Sequence, residues 1–301
     1  MIGTIYLRVK RGYNPWKKMA GLLLRQRSIL RRLRTAPRAA GYVVTLTSIP
    51  QRSRQLRYTI LSIAAGNTLP ERVVLYVSDR TAASIAAADD RVLNALQSSG
   101  FLTISTVRDV GPHTKLIYGL QELSDKHLIV CDDDVIYPSY WLQALRQRHQ
   151  ETADRRLLVC HRAHLITRDA AGQPLPYRAW KKELPSRSGA LVSQDYFPTG
   201  TGGVLFPAGS MPDLTWTEEL FARYAPKADD IWFYLAALLS GYEISLTNHS
   251  YVREDAPEIP NYRTPNLYDD NVNNGGNDQQ FAASLAYFKE QHGLRWPELR
   301  S

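Results

Sequence analysis

Between residues 42 and 131 short β-rich apolar runs take turns with amphipathic stretches of helical period. GYVVTLTSIP reads as a strand ended by Pro50, and RSRQLRYTILSIAAG as a helix with Leu56, Ile60, Leu61 and Ile63 on one side and Gly66 after it. ERVVLYVSD is the next strand, TAASIAAADDRVLNALQSSG one helix closed by Gly100, FLTISTV a strand, PHTKLIYGLQEL a helix and KHLIVC a fourth strand. Four strands joined by helical crossovers predict an α/β domain with a mainly parallel central sheet. Ligands of such sheets bind beyond the carboxyl ends of the strands.

Ahead of that series the pattern is different. Trp16, Met19, Leu22, Leu23, Leu24, Ile29, Leu30 and Leu33 are interleaved with basic residues, as one apolar stripe of a helix running to Thr35 or Ala36 before Pro37. The longest apolar run, MAGLLL, is far short of the roughly 20 residues that cross a bilayer, and no signal-type stretch follows it. The expected arrangement is a basic amphipathic arm at 1–41 and a single domain at 42–301, with a nucleotide-binding half at 42–137 and an acceptor-binding half, including a C-terminal lid, at 138–301.

Charge sharpens this division. The chain has a net charge of +8, yet residues 1–42 hold eleven Lys or Arg and no acid, so the basicity belongs to the N-terminus. A basic helix of this kind suits the anionic inner face of a membrane, which predicts a cytoplasmic, peripheral protein. A solvated or partner-bound helix is the alternative; nucleic acid is not expected, because no nucleic-acid motif accompanies the charge. Composition (301 residues, 44% hydrophobic, 22% charged) excludes a disordered chain. Cys131 and Cys160 sit in apolar runs without zinc-type spacing and read as reduced core thiols.

The candidate chemistry begins at LIVCDDDVIYP, where an apolar strand ends in three carboxylates. Acceptor-only oxygens suit hard divalent cations such as Mg²⁺ or Mn²⁺, and strand alternation puts Asp132 and Asp134 on one side with Asp133 turned away. The other reading is an acidic turn ahead of a helix beginning near Pro138. A second acidic pair, Asp229 and Asp230, opens the apolar helix DDIWFYLAALLSGY, where helix capping is again the alternative. TGTGGVLFP gathers Gly200, Gly202 and Gly203 before a short strand and lacks the G-K-[ST] of a phosphate-binding loop. His161 and His164 are assigned no metal, being three apart on a strand. The tail NLYDDNVNNGGNDQQ reads as a polar loop followed by a helix capped by Asn277 or Asp278.

The ordering LTSIPQR, VSD, DVGPHTKL, VCDDDVIYP, TGTGGVLFP and ADDIWFYLAALLSGYEI, over about residues 42–292, resembles glycosyltransferases of the GT-A fold, a Rossmann-like nucleotide-binding fold. It is most similar to bacterial enzymes related to glycosyltransferase family 2 that build surface polysaccharides and lipopolysaccharide. The resemblance implies that Asp230 is the base that deprotonates an acceptor hydroxyl, with Asp229 in support, Gly241 and Tyr242 falling at the family's spacing. It also implies that Thr47, Ser48, Arg52 and Asp79 line the nucleoside, that Lys115 faces the diphosphate, and that Asp132 and Asp133 belong to the nucleotide site. Gly202 and Gly203 would lie against the donor sugar, and His249 would complete a metal shell with Asp132 and Asp134. The expected activity is a metal-dependent, inverting transfer from a nucleotide-sugar donor to a glycan or lipid-linked glycan acceptor, with Mn²⁺ or Mg²⁺ as cofactor. The alternatives are a sugar nucleotidyltransferase, which LTSIPQR disfavours for want of glycine, and a non-catalytic basic membrane or nucleic-acid adaptor.

Overall fold

Side chains in the first strands divide by parity, which explains why the sheet is covered on both faces. The computed structural model describes residues 14–184, 191–249, 255–260 and 275–295. In strand β1 (Arg38–Thr47) Val44 and Leu46 enter one core and Val43 the other; in β2 (Leu69–Val77) Val73, Leu75 and Val77 oppose Val74 and Tyr76. In β4 (His127–Val130) Ile129 points one way, Leu128 and Val130 the other. Burial on both faces is what continuous apolar parallel strands require.

The central sheet has eight strands, completed by β3 (Leu102–Thr106), β5 (Leu157–Cys160), β7 (Val192–Ser193), β9 (Val204–Phe206) and β10 (Glu243–Leu246), in the order β3-β2-β1-β4-β9-β5-β10-β7. β3, β2, β1 and β4 are mutually parallel, as are β5 and β10, whereas β9 runs antiparallel between β4 and β5 and β7 antiparallel at the edge. A separate antiparallel pair joins β6 (Ala163–Leu165) to β8 (Tyr196–Pro198). The result is a single α/β domain with a mainly parallel sheet and an N-terminal helix.

One core lies under helices α1 (Pro15–Arg32), α2 (Leu56–Ala64), α3 (Asp79–Ala88), α4 (Arg91–Ser98) and α6 (Trp141–Glu151). The other lies under α5 (Thr114–Glu122), α7 (Glu218–Tyr224), α8 (Asp229–Leu239) and α9 (Gly276–His292). The single helix expected over TAASIAAADDRVLNALQSSG is two, because Asp89 ends α3 in the left-handed region (φ 42°) and Asp90 caps α4 by accepting from Val92 N and Leu93 N. Helix α9 starts from Gly275, two residues before the expected cap Asn277 and three before Asp278, which fall in its first turn. The expected lid at 266–274 lies outside the described residues.

Helix α1 contributes to the first of these cores. Asn14 Oδ1 caps it by accepting from Lys17 N at 3.0 Å, and Pro15 occupies its first turn. Its buried residues Met19, Leu22 and Ile29, with Leu33 just beyond, belong to the same core as α2 and β1. Arg32 Nη1 donates to Gly66 O at 2.7 Å and Lys18 Nζ to Asp255 O at 2.6 Å, so both ends of the helix are tied down. Met19, Leu22, Ile29 and Leu33 of the stripe read from the sequence are thus covered by the protein's own core, whereas Trp16 and Leu24 remain exposed.

Candidate functional site

The site lies past the carboxyl ends of β1 and β4. After Val130 the chain keeps one more sheet bond, Cys131 N to Thr45 O at 3.3 Å, then turns, so strand alternation does not govern the three aspartates. Asp132 faces Lys115, with Nζ to Oδ1 at 3.1 Å, and accepts from Thr201 Oγ1 at 2.9 Å. Asp133, expected to turn away, accepts from Ser48 Oγ and from Arg52 Nη1 at 2.6 Å; the same Arg52 nitrogen lies 3.0 Å from Asp134 Oδ2. Asp133 and Asp134 therefore share one guanidinium while Asp132 pairs with Lys115. Asp133 is buried, whereas the Asp132 and Asp134 side chains are 26% and 25% exposed.

The turn is held from outside by groups whose sequence signal is weak. Thr59 Oγ1 donates to Asp133 O, Ile259 N to Asp134 O, and Asp132 N to the Tyr137 hydroxyl, which in turn donates to Thr201 O at 3.2 Å. Ser48 and Arg52 are presented by the end of β1 and the short 3-10 turn Pro50–Arg52.

The second acidic pair reaches the same place from the other half of the sheet. Asp229 and Asp230 form the first turn of α8, and neither makes the side-chain cap that the alternative reading required. Asp229 Oδ2 lies 2.9 Å from Lys115 Nζ, and both Asp230 oxygens accept from Gly200 N, at 3.1 and 3.2 Å. Gly200 marks the meeting point. A Cβ built there would stand 2.8 Å from Lys115 Nζ, 3.2 Å from Asp230 Oδ1 and 3.5 Å from Asp132 Oδ1. Two clusters about a hundred residues apart in the chain thus line one cleft, with Lys115 as the bridge between them.

Electrostatics follow from that crowding. Burial disfavours ionisation of Asp132, yet Lys115 and the Thr201 hydrogen bond outweigh it and hold the carboxyl below its ordinary value. Burial, with Asp133 and Asp132 adding negative charge, pushes Asp134 up to about 7. Asp230 is likewise pushed up to about 7, by burial first and Asp229 second. A small apolar cavity lined by Val130, Val204, Phe206 and Phe233 touches Asp230. Lys115 loses solvation on burial, but Asp132, Asp229 and Asp230 more than restore its charge and its pKa is raised.

Five carboxyl groups, Asp132, Asp133, Asp134, Asp229 and Asp230, here face two cations, Arg52 and Lys115. That excess of negative charge, together with two partly open carboxylates, fits a hard divalent ion held by one or two protein carboxylates and otherwise by water and substrate oxygens. It does not fit a closed protein cage, since no group of three or more His, Cys, Asp or Glu able to hold an ion is assembled among the described residues. His249 does not join Asp132 and Asp134 in such a group: it is exposed and stacks on the Tyr140 ring at 5.2 Å. His161 is buried, bonded to Trp141 O and Thr247 Oγ1.

The remaining expected residues divide between cleft and scaffold. Thr47 ends β1 and Ser48 follows it into the cleft wall. Asp79 is exposed at the start of α3, past the end of β2, where Ser78 is the capping residue. Protein packing by itself requires glycine at 202 and 203. A Cβ on Gly202 would sit 2.6 Å from Arg162 Cβ, and one on Gly203 (φ +91°) 2.5 Å from Trp141 Nε1. Gly200, not its two neighbours, is the glycine that faces the acids. Sequence reasoning missed Thr201 and Tyr137 altogether; their proximity to the DDD and TGTGG motifs was the available signal.

No protein-family model matches the chain, and no curated protein matches it. Among solved structures it is similar to a 4-diphosphocytidyl-2C-methyl-D-erythritol synthase, at 14% identity and a TM-score of 0.41 over 74% of this chain and 94% of that one. It is also similar to GalNAc-T7 with UDP, GalNAc and Mn2+, at 14% identity and a TM-score of 0.48 over 84% of this chain and 55% of that one. At these values the likenesses assign no activity, and the functional reading rests on this chain's own residues.

Proposed function

We propose that the protein is a divalent-metal-dependent glycosyltransferase of GT-A type that moves a sugar from a nucleotide-sugar donor to a hydroxyl of a glycan or lipid-linked glycan, with inversion. The single observation that carries this reading is the convergence of Asp132 and Asp230 on Gly200, with Lys115 spanning the gap. A displacement of this kind needs two unlike functions within one sugar's reach: positive charge for a departing diphosphate and a base for the incoming hydroxyl.

Asp132 and Asp134 would hold the cation, which when bound supplies charge neutralisation to the leaving diphosphate. Arg52 and Lys115, cations beyond the strand ends that pair with these aspartates, would bind phosphate oxygens. Ser48, one residue past the carboxyl end of β1, would contact the nucleoside. Asp230 would take the hydroxyl proton. A carboxylate poised near 7 is both ionised enough and basic enough for that at neutral pH, and the Gly200 amide fixes its orientation.

The test is incubation of the full chain with Mn²⁺ and a panel of nucleotide sugars, following nucleoside diphosphate release and, by NMR, the anomeric configuration of the product. Release that requires Mn²⁺ and is abolished in Asp134→Ala supports the reading. Pyrophosphate formation from a nucleoside triphosphate and a sugar phosphate would assign nucleotidyl transfer instead, and absence of both nucleotide binding and turnover would leave the adaptor reading.

A further inference from the structure

Burial of the α1 stripe raises the question of what the helix's outer face is for. The large exposed hydrophobics among the described residues are Trp16 (58%), Leu24 (86%) and Ile49, so two of the three lie on this one helix. Trp16, Ala20, Leu24, Arg27 and Arg31 recur at steps of four, four, three and four, which places them in one line along the helix, and all five are exposed. Lys17, Arg25 and Arg34 flank the line and are also exposed, the helix carries no acid, and Lys17, Arg27, Arg31 and Arg34 form no ion pair among the described residues.

The geometry points to this face, Trp16-Ala20-Leu24-Arg27-Arg31, as a docking surface for an anionic lipid bilayer. An exposed aromatic ring and an 86%-exposed leucine, on a helix whose charged residues are all basic, match an interface with acidic headgroups above and acyl chains below. A phosphate backbone would use the arginines but leave Leu24 nothing apolar to enter. No described helix is long and apolar enough to cross a membrane, so the contact is a docking and not an insertion of the chain across it.

The placement also relates the surface to the cleft. Lys18, two residues from Trp16, is bonded to Asp255 O, and residues 255–259 run beside the acidic turn, with Ile259 N on Asp134 O and Ile136 N on Pro257 O. These contacts tie the N-terminal end of α1 to the segment that backs the acidic turn. The lipid surface itself stands independently of the chemistry proposed for the cleft.

The test is co-sedimentation of the full chain with vesicles of phosphatidylcholine alone or mixed with phosphatidylglycerol. Binding is expected only to the mixed vesicles and is expected to fall steeply with salt. Each basic residue removed should weaken it about fivefold, so Lys17→Gln/Arg27→Gln/Arg31→Gln should lose roughly a hundredfold. Trp16→Ser/Leu24→Ser should lose binding while keeping its charge. Leu24→Cys labelled with an environment-sensitive fluorophore should shift to the blue on mixed vesicles. Unchanged melting temperatures and unchanged nucleotide-induced thermal shifts in these surface variants separate a lost docking face from a misfolded or inactive protein. Equal binding to phosphatidylcholine vesicles, undiminished binding by the triple variant, or binding to RNA without any blue shift on vesicles overturns the proposal.

Discussion

Replacing Lys115 with methionine isolates the bridge between the two acidic clusters. Methionine approximates the length of the lysine stem, so the change removes charge and two short ion pairs, to Asp132 at 3.1 Å and Asp229 at 2.9 Å, with little loss of volume. Lys115 is 7% exposed, and its removal leaves Asp132, Asp229 and Asp230 facing one another without the cation that lies among them. Breaking one side of a buried pair costs about 3–5 kcal/mol for that reason. The pH dependence follows from the direction of each shift. Asp132 is held below its ordinary value by Lys115, so in the native protein it contributes stability above the unfolded pKa that is lost only as pH falls through its lowered value. Without Lys115 all three carboxyls move up, and the folded variant takes protons that the unfolded chain does not. Its deficit is then largest at about pH 8 and shrinks by at least half by about pH 5, each proton taken up changing it by about 1.4 kcal/mol per pH unit. Urea denaturation of both proteins at the two pH values measures this. A deficit below about 1 kcal/mol at the higher pH, or the same deficit at both, would refute the assignment of Lys115 as a counter-ion shared by the clusters.

Further consequences are open to similar checks. Asp230→Asn should slow transfer about 10²–10⁴-fold, and the wild-type rate should rise with pH through about 7 as Asp230 gives up its proton, a limb absent from whatever activity the variant retains. Because folding raises the Asp230 pKa, its ionisation costs stability as pH rises through about 7, so the same variant should unfold at a higher temperature than wild type at alkaline pH, by on the order of 2 kcal/mol. Gly203→Ala, with φ +91° and a Cβ 2.5 Å from Trp141, should destabilise by about 2–4 kcal/mol in thermal or chemical unfolding. Leu22→Ala in α1 should cost about 2–4 kcal/mol of the whole domain's stability, where a detached arm would show no change.

The sequence was most readable where one rule governed many residues. Parity of apolar side chains in β1, β2 and β4 and the 3.6 period in α2 and α5 needed no tertiary information, and four strands with helical crossovers followed from them. It was least readable where a tertiary contact overrode a local rule. The α1 stripe has the same period whether it meets a membrane or a protein core, and only α2 and β1 decide between them. Alternation along DDD assumed an extended chain, but β4 ends at Val130 and the turn hands Asp133 and Asp134 to Arg52, a residue 81 positions earlier. The glycines of TGTGG and the short strand after them were legible; that Gly202 and Gly203 yield to Arg162 and Trp141 while Gly200 yields to the acids depends on tertiary packing, which the pattern leaves open. Helix α8 was legible because its apolar run begins directly after the two aspartates.

That one cleft divides its work between two acidic clusters is tested most directly by measuring nucleoside diphosphate affinity in the presence of Mn²⁺ and the transfer rate on the same two variants, Asp134→Ala and Asp230→Asn. The expected result is a split: Asp134→Ala loses Mn²⁺-dependent nucleotide binding and turnover together, whereas Asp230→Asn binds nucleotide with near-native affinity and fails to turn over. Native binding and turnover in either variant, or loss of nucleotide binding in Asp230→Asn with its fold intact, would contradict it.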